Sequence, residues 1–372
     1  MTMEAIKKAI SPITIIIIIG MALIPSCEFE NSSKSEATTI SSDITTDTKW
    51  ESGKTYIIDK DNLYIGAELT IEPGTTIKLM SGGSIILRNG GNIIANGTNS
   101  RPIVFTSVKD DNNGGDTNKD GDKTIPAAGD WGCLNLNGSQ NSDFSYCIFM
   151  YGGRDNANPA TVDVSSEATA KFDNCTFAYN SGGLMNSLYV GALNASNSNK
   201  NTEITNCQFY GNKVPLTINA EMSMDNSNSF SNKGLANNCN GIFVFGDKVS
   251  NDISWLEDEV AFVVTATNLE IGMNKTLTLG NNVVIKFAEN SSLTLMSGEG
   301  CLVNRDGPGV EFTSLKDDER KGDTNGDGLA TLPQESDWTG IYIYQWKSNY
   351  PGWADADEWG NIFYNDPHPL VK

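Results

Sequence analysis

The sequence predicts an all-β solenoid, a chain wound into successive coils of short strands. Three observations carry this reading: a long internal duplication, a finer repeat inside its first copy, and strand-like runs separated by turn residues. The duplication is the strongest. "NLYIG" (62–66) matches "NLEIG" (268–272), "LTIEPGTTIKL" (69–79) matches "LTLGNNVVIKF" (277–287), and "VFTSVKDD" (104–111) matches "EFTSLKDD" (311–318). "GDWGCLNL" (129–136) then matches "SDWTGIYI" (336–343), in the same order and at an offset that stays between 206 and 208. Self-similarity of this kind is the signature of a repeat architecture. The repeat units are residues 50–254 and 255–372, the second ending in a C-terminal cap.

The finer repeat sets the coil. "SYCIFMYGG" (145–153), "DNCTFAYNSGG" (173–183) and "TNCQFYGN" (205–212) share a Cys, one residue, then a Phe, with a fainter echo in "SNSFSN" (227–232). Phe149, Phe177, Phe209 and Phe230 lie 28, 32 and 21 residues apart. Steps of that size fit one solenoid turn each, lengthened in places by insertions.

The local pattern is strand. "TIKL", "SIIL", "PIVFTS", "TVDVS", "GIFVF", "FVVTAT" and "GIYIY" are short apolar or alternating runs between clusters of Gly, Asn, Asp and Ser. No stretch keeps apolar spacings of three and four over a helical length. The 36 glycines and many asparagines suit tight corners, because these residues enter positive φ at low cost.

On these residues the chain resembles the right-handed parallel β-helix proteins of the pectin-lyase-like class, over about residues 50–345. "SGGSIILRNGGNIIANGTNSRPIVFTSVKDD" and the repeated "NCxF" coils carry the resemblance. It implies three sheets with one short strand per coil on each and like side chains stacked inside; it is unspecific for activity. A β-sandwich is the competing architecture, kept open by the unequal coil lengths.

The first residues are read as a targeting segment. "MEAIKKAISPITIIIIIGMALIPSC" places Lys7 and Lys8 before an apolar run that ends in "LIPSC", a secretory signal too short to span a membrane. Ser26 before Cys27 resembles the lipobox of bacterial lipoproteins, which implies cleavage after residue 26 and lipidation of Cys27. Residues 27–49, rich in Ser, Thr and acids, are expected to be a flexible tether. Glu28 and Glu30 resemble the export signal of Bacteroidota surface lipoproteins. The expected location is therefore the outer membrane, at the cell surface, with the membrane as partner through the lipid.

The net charge is −20. It disfavours nucleic acid and anionic lipid surfaces, which need clustered Lys and Arg, and suits divalent cations or plain solubility. Six cysteines besides Cys27 permit disulfides in an exported protein. Cys147, Cys175 and Cys207, however, share one position of successive coils, and a ladder of buried thiols is the expected arrangement.

The chemistry with the sharpest spacing is an aspartate loop written twice. "GGDTNKDGDKT" (114–124) offers Asp116, Asn118, Asp120 and Asp122; "KGDTNGDGLAT" (321–331) offers Asp323, Asn325 and Asp327. Oxygen ligands at positions one, three and five before a Gly turn (Gly121, Gly328) resemble the first half of a calcium loop. Position seven gives its carbonyl in such loops, so Asp122 can become Leu329. The acid of position twelve is missing, with Ala127 and Gln334 in its place, which excludes an EF-hand. Asp110, Asp111, Asp130 and their counterparts Asp317, Asp318, Asp337 are the further candidate ligands. Two Ca2+ ions are expected; the competing reading is a pair of solvated polar turns.

Catalytic residues do not stand out. His368 is the single histidine, which removes a Ser–His–Asp triad, a His-ligated zinc site and the HExxH motif. Lyases of the β-helix class use Arg or Lys as base, and Arg154 in "YGGRDN" is the one candidate the resemblance points to. No spacing singles out a glycosidase carboxylate pair. Trp338, Trp346, Trp353 and Trp359 crowd the C-terminal stretch, where a solenoid cap or a sugar-stacking surface would use them. The expected function is a non-enzymatic surface binding or adhesion module for glycans, against a calcium-dependent polysaccharide lyase or glycoside hydrolase. Replacement of Cys27 by Ser is expected to move the protein from the membrane fraction to the soluble fraction, read by fractionation and detergent-phase partitioning.

Overall fold

The structure is a computed structural model that describes residues 37–154, 159–185, 188–344 and 351–367. The described residues form one compact unit, a parallel β-helix. The N-terminal coils place their strands in turn on three sheets. Sheet A has seven strands from Thr38–Ile40 to Gln208–Tyr210, and sheet C has six from Thr48–Trp50 to Glu203–Thr205. Sheet B has ten and runs from Asn62–Ile65 to Glu311–Ser314, through both repeat units. In the later coils, sheet D (five strands, from Lys248–Val249) and sheet E (three, from Ile253–Trp255) complete the turn. All pairings in sheets A, B and C are parallel.

One residue out of register would turn each strand's core side outward, so the alternation fixes the coil. Inside, like stacks on like. Phe105, Phe149, Phe177, Phe209 and Phe230 form a column with ring centroids 4.9, 5.0, 5.0 and 5.2 Å apart, close to the spacing of neighbouring strands. Phe144 and Phe172 begin a second column at 5.1 Å. The corner between sheets A and B carries an asparagine column. Asn180 Nδ2 donates to Phe149 O and Asn212 Oδ1, and Asn212 Nδ2 donates to Phe177 O and Asn237 Oδ1. These amides satisfy main-chain carbonyls that the turn would otherwise bury without partners. The six cysteines among the described residues are all buried, and Cys147, Cys175, Cys207, Cys239 and Cys301 are free thiols. Burial pushes the thiols of Cys175 and Cys207 well above their usual range, so they behave as small apolar groups.

Two differences from the expected boundaries stand out. Ordered structure begins before residue 50: Thr38–Ile40 pairs with Thr55–Ile58, and Ile44 bridges to Ile65 and is buried. A segment poor in apolar residues orders here because a preformed sheet edge supplies its hydrogen bonds and two isoleucines reach the core. Second, the repeat units are stepped on by one sheet. Thr76–Leu79 and Ile103–Ser107 lie in sheet A, but their counterparts Val284–Phe287 and Glu311–Ser314 lie in sheet B. Leu134–Asn135 lies in sheet B and its counterpart Gly340–Ile343 in sheet D. The matched aspartate loops therefore leave from different corners of the helix.

One buried acid is only half compensated. Glu257, fully buried between Ile253–Trp255 and Ala261–Val264, accepts Glu259 N at 2.9 Å on Oε1, while Oε2 has no hydrogen-bond partner. Burial raises its pKa from 4.5 to about 7, helped by Glu259 and Asp258. A raised carboxyl pKa favours folding where the group is protonated. That stabilisation is full below pH 4.5 and is lost as pH rises to about 7, a swing of roughly 3 kcal/mol. Glu257→Gln is accordingly expected to raise stability at pH 8 and to flatten the dependence between pH 4.5 and 7, read from urea midpoints across that range.

Candidate metal centres

Each aspartate loop leaves one strand and returns to the next through a turn built on its first acid. In the first loop Asp116 Oδ1 accepts Lys119 N at 2.6 Å and Oδ2 accepts Gly121 N at 3.0 Å. In the second, Asp323 accepts Gly326 N at 2.6 Å and Gly328 N at 2.7 Å. The second acid is steadied the same way twice. Asp120 Oδ2 accepts Thr124 Oγ1 at 2.5 Å and Asn118 Nδ2 at 3.0 Å; Asp327 Oδ2 accepts Thr331 Oγ1 at 2.6 Å and Asn325 Nδ2 at 3.0 Å. Two copies far apart in sequence thus fold into one geometry.

The carboxylates that converge are Asp111, Asp116 and Asp120, and Asp318, Asp323 and Asp327, each trio with oxygens within 4.8 Å of one another. Asp111 Oδ1, Asp120 Oδ1, Asp318 Oδ1 and Asp327 Oδ1 are all buried and accept no hydrogen bond. Burial lifts the pKa of Asp111 and of Asp318, and the adjacent Asp116 or Asp323 lifts it further. Three crowded acids with inward oxygens left unsatisfied match what a hard, oxygen-seeking dication requires.

The other acids marked in the sequence hold the loop rather than the cluster. Asp110 and Asp317 are buried and accept Thr106 Oγ1 and Thr313 Oγ1, each at 2.6 Å. Asp130 pairs with Lys109 at 2.6 Å and Asp337 with Lys316 at 2.7 Å; they also accept Ala127 N and Gln334 N, closing the loop exit. Asp122 is exposed, and its counterpart Leu329 is 80% exposed, which leaves only a main-chain carbonyl in common at that position.

Two lysines that motif reading passed over lie beneath the loops. Lys78 and Lys286 point outward from their strands yet are fully buried by the loop above. Lys78 Nζ donates to Asp110 O and Gly115 O; Lys286 Nζ donates to Gly322 O at 2.7 Å and Thr324 Oγ1 at 3.1 Å. Burial lowers both pKa values, that of Lys286 to about 8, against the pull of the nearby aspartates. The signal was in the duplication, where "TIKL" aligns with "VIKF".

Arg154 is exposed, and its guanidinium donates to Ser81 Oγ while its backbone N–H donates to Trp131 O. Cys27, His368 and Trp346 lie outside the described residues. Of the other tryptophans, Trp338 is buried and stacks on Phe287 at 4.2 Å, and Trp359 packs on Phe312 under Arg305. Trp353 is half-buried.

Residues 42–162 match the family described as the pectate-lyase like beta helix domain. The matched span is about a third of the chain and contains the first aspartate loop, Lys78 and Arg154. No curated protein and no solved structure matches. The chain is a parallel β-helix, and its residues 42–162 are similar to that family.

The loops differ at one backbone position. Gly326 has φ +76°, and a Cβ there would lie 2.6 Å from Asn238 Nδ2 and Cys239 Sγ, whereas the first loop places Lys119 at φ 59°. Gly326→Ala is expected to cost about 1–3 kcal/mol. Lys119→Gly is expected to be neutral or to stabilise by up to about 1 kcal/mol, because it relieves a left-handed residue. Urea denaturation midpoints read both.

Proposed function

We propose that this chain is a non-enzymatic binding or adhesion module for glycans, a β-helix whose two aspartate loops are each pinned by Ca2+. In this reading it is lipidated at Cys27 and displayed on the outer membrane. The observation that carries it is the twin cluster: the same three carboxylates converge twice, each with unsatisfied buried oxygens, on a lysine-supported loop. Asp111, Asp116 and Asp120 would hold one ion, and Asp318, Asp323 and Asp327 the other. The ion would supply positive charge at the point where carboxylate repulsion otherwise opposes loop order. The lysines below hold main-chain carbonyls, so they share the work of ordering the loop and leave the acids to the cation. Glycans are the ligand class because the matched family is described as pectate-lyase like.

That description also favours a second reading, a calcium-dependent polysaccharide lyase or glycoside hydrolase with Arg154 as the base, since Arg154 falls inside the matched residues.

Calcium at a hundred times its dissociation constant is expected to stabilise the protein by about 2.7 kcal/mol per independent site. Asp116→Ala with Asp120→Ala should abolish one site, and Asp323→Ala with Asp327→Ala the other, in calorimetric titrations and in melts with and without chelator. A melt indifferent to chelator, with no heat of binding, would make both loops polar turns. Incubation with uronate polymers and neutral glycans separates the two functional readings. Binding without cleavage supports the module, and unsaturated products that vanish in Arg154→Ala support the lyase.

A further inference from the structure

The last coil ends in a cavity that no fold requirement explains. Gly352–Trp353 returns antiparallel along Gly340–Ile343 and covers the edge of sheet D, as an open strand edge demands. Residues 364–366 are tied to the same coil, with Ser336 N donating to Asn365 O and Asp366 N to Trp338 O. Between these two segments lies a cavity of about 600 Å3, within the usual range for small-molecule sites.

Trp353 forms one wall of it, with its ring set edge-on to Tyr342 at 5.0 Å and 67°. Gly340 is part of the lining; a Cβ there would come within 3.4 Å of the Trp353 ring. The first repeat unit has Cys133 at the matching position, packed with Ala160 and Val190 and closed over. The indole N–H of Trp353 is buried without an acceptor. A phenyl ring would pack against Tyr342 without that unsatisfied donor, so stability alone does not select tryptophan here. Glu335, Asp355, Asp357 and Asp366 supply carboxylates around the ring.

We propose that this cap cavity binds a neutral pyranose oligosaccharide, stacked on Trp353 with its hydroxyls donating to the surrounding carboxylates. An aromatic wall with polar acceptors around it suits a sugar, which is apolar on its ring faces and rich in donors at its rim. Four acids repel a uronate, so the ligand is neutral. This inference rests on the glycan-binding reading above for its ligand class, and is independent of calcium and of Arg154.

The test is titration of the calcium-loaded mature protein with xylo-, manno- and gluco-oligosaccharides and with oligogalacturonate, read by calorimetry and saturation-transfer NMR. At least one neutral series is expected to bind and oligogalacturonate is not. Trp353→Ala should weaken binding tenfold or more. Trp353→Phe, which keeps the packing on Tyr342, should retain the wild-type melting temperature and bind with intermediate affinity, so a folding defect in the alanine variant does not decide the result. Neutral-glycan binding that both variants leave unchanged would overturn the cavity while keeping the glycan-binding reading. No binding of any glycan would overturn both, as would tight binding of oligogalacturonate at this cavity overturn the proposed ligand class.

Discussion

Each coil of this protein is stable only against its neighbours, and the constraint that governs the rest is the single strand spacing between them. A side chain that stacks on its like at about 5 Å repeats the same contact at every level. The phenylalanine column, the free thiols of Cys147, Cys175 and Cys207, and the asparagine column at the sheet A–B corner are three chemical solutions to that one geometry. The first is apolar burial. The second is small and apolar. The third meets main-chain carbonyls that the turn exposes. A mismatch propagates only to adjacent coils, so insertions are tolerated where they leave at a corner.

The aspartate loops are such insertions, and their design divides labour between two charges. From beneath, Lys78 and Lys286 take main-chain carbonyls and fasten the loop to its strand. At the loop's centre, three carboxylates are forced together, two of them with a buried oxygen unsatisfied. Asp130 and Asp337 close the exits through ion pairs with Lys109 and Lys316. The arrangement survives a change of corner, from sheets A and B to sheets B and D, because the partners common to both loops lie within the loop, on the strand it leaves, or on the neighbouring strand of that same sheet, which carries the lysine. A self-contained loop can be moved round a helix; one that relied on a third sheet could not.

The second copy also pays more for its surroundings than the first. Gly326 lies against Asn238 and Cys239 where the first loop has the exposed Lys119, and Arg320 stands beside the buried Asp317 where Asn113 stands beside Asp110. Near the end of the helix the chain turns back as an antiparallel strand, and the tryptophans divide. Trp338 completes the core, Trp359 covers it, and Trp353 lines a cavity.

The coil architecture, the strand class and the twin loops were legible in the sequence, because they are repeated: stacking demands the same residue at the same place, and a turn on Asp116 or Asp323 is specified by its own few neighbours. The identity of the converging acids was not. Asp110 and Asp111 are adjacent in sequence, yet in the turn after the strand Asp110 accepts the Thr106 hydroxyl while Asp111 faces Asp116 and Asp120. Lys78 and Lys286 belong to no local motif, and they are buried because the loop folds over them. The one-sheet step between repeat units, the early start at Thr38 and the separation of three tryptophan roles depend on how many strands intervene and on what covers each end. Those are properties of the wound helix, where neighbours are set by coil and not by sequence distance, and only the tertiary structure decided them.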